Sequence, residues 1–133
     1  EAFIHENGGL KIVERLLTDG QQKAVSKVTI HLLGADSSGQ VLSRSVAQDE
    51  SQQVFRASLV GKNRCTGHVE CDAIIMGSAQ IRAIPELNAE SAEAVLTHEA
   101  AIGRIAGDQL IKLMTLGLDE KEAIDTILAG FLR

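Results

Sequence analysis

The sequence predicts a mainly β chain that closes in a helical hairpin, and three observations predict it. Val28, Ile30 and Leu32 alternate with Lys27, Thr29 and His31, the two-residue period of a half-buried strand. Segments of the same character recur at short, even intervals with turn residues between them. Beyond His98 the apolar period lengthens to that of a helix.

Taken in order, residues 1–10 carry Asn7-Gly8-Gly9 and read as loop. Leu10 to Leu17 fits a strand or a short helix, since so few residues do not separate the two periods. Asp19-Gly20 marks a turn, and a strand follows from Ala24. Gly34 to Gly39 is a cluster of turn residues. Val41–Val46 and Val54–Val60 are further strands, separated by the polar segment Gln48 to Gln53. Gly61-Lys62-Asn63 turns again, and His68–Met76, Gln80–Ile84 and Glu93–His98 complete the series.

Short, evenly spaced strands fit a sandwich, a barrel or a solenoid. Composition favours the solenoid. The chain has three Phe and neither Trp nor Tyr. Rungs about 4.8 Å apart stack like positions on one another, so small aliphatic side chains fill a thin core. No strict sequence period accompanies this reading.

The helical part places Ile102, Ile105, Ala106, Leu110, Leu113 and Met114 on one face. Gly117 stands where that helix should stop. Asp119 followed by Glu122 has the spacing of a capping box. Ala123, Ile124, Ile127, Leu128 and Phe131 then form a second apolar stripe. Such a hairpin covers the open end of a sheet or offers a face to a partner. The division expected is a β core over residues 1–100 and a helical region over residues 101–133.

At 133 residues the chain buries a core without staples. A net charge of −5 opposes a phosphate-binding footprint, and the lack of Trp and Tyr removes stacking platforms for single strands, so no nucleic acid is expected. No run approaches the roughly 20 apolar residues of a membrane span, and no leader-like segment opens the chain. Cys65 and Cys71 make no disulfide framework, which fits a reducing, cytoplasmic setting. Opening on Glu1 rather than Met, the chain reads as a fragment or a processed form.

Chemistry concentrates between Gly67 and Arg104. With Val69, Cys71, Ala73 and Ile75 on one strand face, Cys71 points inward as a small hydrophobe or a shielded thiol, and His68, Glu70 and Asp72 point outward. Cys65, His68 and Cys71 lie three apart but form no paired zinc motif. His98 and Glu99, adjacent on a strand, split between its faces. A metal-dependent enzyme built on His68, Glu70 and His98 would lack a helical metal motif. Gly61-Lys62 is not a phosphate loop, because Arg56 stands where the first glycine belongs. No nucleotide is therefore expected on this chain, and any ATP hydrolysis falls to another.

The motifs ECDAIIMG, LTHEAAIGRI, the DQL of Asp108 to Leu110 and the closing GLDEKEAIDTILAGFL resemble the SufB/SufD family of iron–sulfur cluster assembly proteins. The resemblance covers about half the chain. It implies a right-handed parallel β-helix followed by a C-terminal helical region. It implies a scaffold rather than an enzyme, partnered by a SufC-type ABC ATPase docking on the hairpin from about Ile102 to Leu132. A SufB/SufD-type sister subunit or a second copy, and a sulfur donor system, are further implied partners. Cys71 matches the family cysteine implicated in sulfur acceptance, Glu99 a carboxylate implicated in the same process, and His98 the histidine of that motif. Together they are the implied ligands of a transient iron–sulfur cluster. Having both Cys71 and Glu99, the chain looks more SufB-like than SufD-like. It is several times shorter than full family members, whose N-terminal region it lacks. The rival expectation is an interaction module that binds the ATPase and the sister scaffold without carrying a cluster.

Overall fold

The computed structural model describes residues 1–133. Eight strands come first: β1 (Ala2–Ile4), β2 (Gly9–Thr18), β3 (Lys23–Leu32), β4 (Ser37–Ala47), β5 (Gln52–Gly61), β6 (Cys65–Ile75), β7 (Gln80–Ala89) and β8 (Ala94–Gly103). Two helices follow, α1 (Gly107–Thr115) and α2 (Glu120–Phe131). The odd strands form one sheet in the order β1-β3-β5-β7 and the even strands a second, β2-β4-β6-β8. Every pairing is parallel. The chain thus winds as a right-handed parallel β-helix of about 4 turns, with two strands to each turn.

The rungs are nearly equal in length. Ala2 pairs with Ile30, and Ile30 in turn with Leu59; Gly9 pairs with Ser38, and Ser38 with Thr66. The corners keep the same step. Asn7 and Asp36 have φ of 58° and 59°, and Gly20, Asp49 and Gly77 have 55°, 59° and 65°. These residue types tolerate the left-handed region best, Asn and Asp because their short polar side chains bond locally. Gly20 N–H donates to Asp49 Oδ2 at 2.8 Å, and Arg64 grips Asp36 from the next rung at 2.8 and 3.1 Å. That guanidinium holds the Asp36 carboxyl below its ordinary range.

Alternate strand residues face inward. Ile30, Leu32, Val41, Phe55, Ala57, Leu59, Cys65, Val69 and Cys71 form one buried cluster. Gly39 and Gly67 occupy successive inward positions of the even sheet. A Cβ on Gly67 would come within 2.8 Å of Leu96 Cδ2 and 2.9 Å of Leu59 Cδ1. The glycine is therefore the space into which Leu96 of the next rung and Leu59 of the facing sheet fit to fill a thin interior. At the corner past β2, Gln53 donates to Thr18 Oγ1 at 2.8 Å and to the Val46 carbonyl at 3.0 Å, so buried polar groups are satisfied.

The sequence-derived elements are present with three differences. Residues 1–10, read as loop, hold strand β1, which pairs in parallel with β3 and so adds a first rung to the odd sheet, and the start of β2. Leu10 to Leu17 is strand, because its inward residues stack on the next rung. The strand that contains His98 runs on to Gly103, so Ile102 pairs with Ala73 in the sheet and the first helix begins only at Gly107. Sheet pairing overrides the helical period there. Helix α1 ends where Gly117 adopts φ of 100°, with Gly117 and Leu118 N–H donating back to Met114 and Leu113. The capping box is formed: Asp119 Oδ1 accepts from Glu122 N–H at 2.8 Å, and Glu122 Oε2 from Asp119 N–H at 2.9 Å. The hairpin does not cover the last rung, for Thr97 to Gly103 stay exposed. Instead it lies on the outer wall of the even sheet. Val46, outward by alternation, is completely buried, and Arg44 Nη1 donates to the Arg133 carbonyl at 2.9 Å.

Replacing Gly67 by Ala overpacks the interior and is expected to lower unfolding free energy by about 1–3 kcal/mol in a denaturant titration. Asp119→Ala removes one half of the capping box and should cost about 1 kcal/mol by the same measurement, with a matching loss of helical circular dichroism.

Candidate functional site

The strand register decides which reactive side chains meet. Glu14, Ser43, Cys71 and Ala100 occupy equivalent inward positions on successive rungs of the even sheet. Glu14 accepts from Ser43 Oγ at 3.2 Å and from Ser26 Oγ of the facing sheet. A polar column thus runs through the otherwise apolar core and ends at the Cys71 thiol. Only Ala100, on the terminal rung, stacks above that thiol.

Cys71 is 3% exposed. Burial, then the charges of Asp72 and Glu14, push its thiol from 9.0 up to about 11. Each of these opposes a thiolate, so at neutral pH the group is a protonated thiol. An adjacent cation or the opening of the last rung would reverse both effects.

His98 pairs with Val69 and so shares the inward set with Cys71, at the exposed end of the stack. Glu99 pairs with Glu70 and belongs to the outer wall. A single chain therefore gathers Cys71 and His98 on one face and leaves Glu99 on the other. Glu99 instead adjoins Glu70 and His68, whose ligand atoms all lie within 4.8 Å of one another. His98 is not part of that group, so a centre of His68, Glu70 and His98 does not form. Cys65 is also buried and inward, between Ser37 and Ala94 in register, on the same strand as Cys71.

Glu14 and Ser43 escaped sequence reasoning. Their signal was spacing: the interval from Glu14 to Ser43 nearly equals that from Ser43 to Cys71, and the corner residues repeat at the same interval. Partners separated by a full rung look unrelated until that step is known.

The molecule is a parallel β-helix with an uncovered terminal rung, a buried thiol one rung beneath it and two helices after the stack. Residues 2–131 match the family described as SUF system FeS cluster assembly, SufBD core domain. The chain belongs to the SufBD family of the iron–sulfur cluster assembly system. It is 35% identical over 126 residues to an iron–sulfur cluster assembly SufBD family protein of Methanothermobacter thermautotrophicus, covering 92% of this chain and 31% of the relative. A protein of the same description from Pyrococcus horikoshii is 39% identical over 136 residues, covering 98% of this chain and 40% of the relative. The iron–sulfur cluster assembly protein SufB of Bacillus subtilis is 27% identical over 128 residues, covering 93% of this chain and 27% of the relative. The chain thus spans about a third of the length of these relatives. No helix is long and apolar enough to cross a membrane.

The thiol links stability to pH with a definite sign. Its folded value lies above its unfolded one, so the unfolded chain loses the proton first. The stabilisation is complete below pH 9 and is lost as pH rises toward 11. Over that window the unfolding free energy should fall by up to about 2–3 kcal/mol more in the native chain than in Cys71→Ala. Denaturant titrations at stepped pH measure the difference.

Proposed function

We propose that this chain is a scaffold component on which sulfur and iron are brought together as a nascent cluster, with Cys71 as the sulfur acceptor. What supports the reading most is the place of Cys71, one rung below the open end of a SufBD core. The Cys71 thiolate attacks the terminal sulfur of a donor persulfide. One S–S bond forms on Cys71, the donor S–S bond breaks, and the donor leaves as a thiolate with no net oxidation. Iron then meets the persulfide at the last rung, with His98 as the neighbouring inward ligand and Glu99 as a carboxylate at the rim. The cluster is cargo, held transiently.

Two cysteines in the chain are too few for a four-thiolate cluster. The site is therefore shared with a second scaffold subunit, either a SufB/SufD-type sister or another copy. The edge strands β7 and β8 carry the unpaired backbone groups that such a subunit would meet. A partner there also supplies what one chain lacks, a way to set Cys71 and Glu99 around one cluster. The SufC-type ATPase is assigned to the helical hairpin. Helix α1 has no buried residue, and Ile111 and Leu116 are 62% and 80% exposed. ATP is bound and hydrolysed by that partner. Its cycle changes the subunit arrangement and opens the rung over Cys71. The cytoplasm is the compartment that suits two free thiols.

One observation favours the rival reading, an interaction module with no cluster of its own. A thiol held near pKa 11 under Ala100 is a poor nucleophile until something opens the rung. Anaerobic reconstitution with ferrous iron and sulfide separates the two. The scaffold reading expects visible sulfur-to-iron charge-transfer absorption in the native chain with its scaffold partner, and its loss in Cys71→Ser. Equal absorption in the variant overturns the assignment of Cys71. Capture of the ATPase with no iron or acid-labile sulfide at any stage supports the interaction module.

A further inference from the structure

The outer wall of the last two rungs carries a second donor set, on the opposite side of the sheet from the thiol. His68, Glu70 and Glu99 each offer one ligand atom, and these lie within 4.8 Å of one another. The register makes the group: β6 and β8 pair His68 with Thr97 and Glu70 with Glu99, and positions two apart share a face. Three donors therefore come from two adjacent rungs of a rigid sheet rather than from a loop.

Two further facts give the set direction. His68 Nδ1 lies 2.7 Å from Thr97 Oγ1. With Nδ1–H donating to that hydroxyl, Nε2 keeps its lone pair, and a fixed second nitrogen is how imidazoles are held for a metal. Glu70 and Glu99 stand directly opposite each other, where like charges repel. Neither carboxylate is in an ion pair, for the chain's ion pairs are His31–Glu1, Lys62–Glu90 and Arg64–Asp36. Their neighbours on the same outward row are Leu42 and Val13, which offer no charge. A cation seated between the carboxylates removes the repulsion.

We propose that His68, Glu70 and Glu99 bind one divalent first-row transition-metal ion on the outer wall. One imidazole with two carboxylates is a borderline donor set, which suits ferrous iron, cobalt or zinc. Magnesium and calcium prefer oxygen donors throughout. Three protein ligands leave positions for water, so the ion exchanges. Thr97 is the positioning residue that fixes the imidazole. The site uses no thiol and stands whether or not Cys71 accepts sulfur; Glu99, also placed at the rim of the proposed cluster, serves one of the two at a time.

Cobalt titration of the full chain without oxygen tests the proposal. The result expected is saturable one-to-one binding with weak visible d–d bands and no intense near-ultraviolet thiolate charge transfer. His68→Ala and Glu70→Gln, both on the outer wall, should each weaken binding at least about tenfold, and Thr97→Val by up to about tenfold. Glu86→Gln on the other sheet should leave it unchanged, and circular dichroism should show all variants folded. The proposal is overturned if no saturable binding occurs, if His68→Ala and Glu70→Gln bind cobalt like the native chain, or if thiolate bands show that the cysteines take the ion. Cobalt binding that persists while Cys71→Ser reconstitutes a cluster normally defeats the sulfur reading and leaves this one standing.

Discussion

Parallel stacking at a near-constant rung length is the constraint on which the molecule depends. It sets every inward residue beneath its counterpart one rung on, about 4.8 Å away. A thin interior results, and its contents are decided column by column. Where the column holds Gly39 and Gly67, facing leucines reach across. Where it holds Glu14, Ser43 and Cys71, a polar line penetrates the core. The corners obey the same step, with Asn, Asp or Gly supplying the left-handed turn each time.

That architecture separates chemistry by face. Alternation along β6 and β8 sends Cys71 and His98 inward and Glu70 and Glu99 outward. The sheet is a wall one backbone thick, so side chains adjacent in sequence work in different environments. Inside, desolvation and two acidic neighbours hold the thiol protonated. Outside, imidazole and carboxylates are open to water and to cations. The proposed assembly of sulfur and iron then becomes a question of what happens at the terminal rung, where the two faces meet at an unpaired edge.

The hairpin has a role different from an end cap. Its end meets the even sheet's outer wall where Arg44 bonds the Arg133 carbonyl; Val46, Ala123 and Leu128 are buried, and the first helix keeps its apolar residues Ile111 and Met114 exposed. The stack's final rung is left uncovered. Two surfaces are consequently exposed, a strand edge and a helix face, and they differ in what they offer. The edge offers backbone hydrogen bonds and the helix offers apolar side chains.

Period-two alternation, turn residues and the capping signals at Gly117 and Asp119 are local properties, and the sequence alone determined the strands from β3 onward, the hairpin and the inward orientation of Cys71. Strand β1 is only three residues long, too short to show a period. Its motifs also identified the family. Local pattern misled at Ile102, where a helical period was outweighed by pairing with Ala73 across a rung. The rest belongs to tertiary structure. The rung length, the column that joins Glu14 to Cys71, and the company Glu99 keeps with His68 and Glu70 all follow from register between strands a full turn apart in the chain. Register is set by how side chains fill a shared interior, and no short stretch of sequence contains that information.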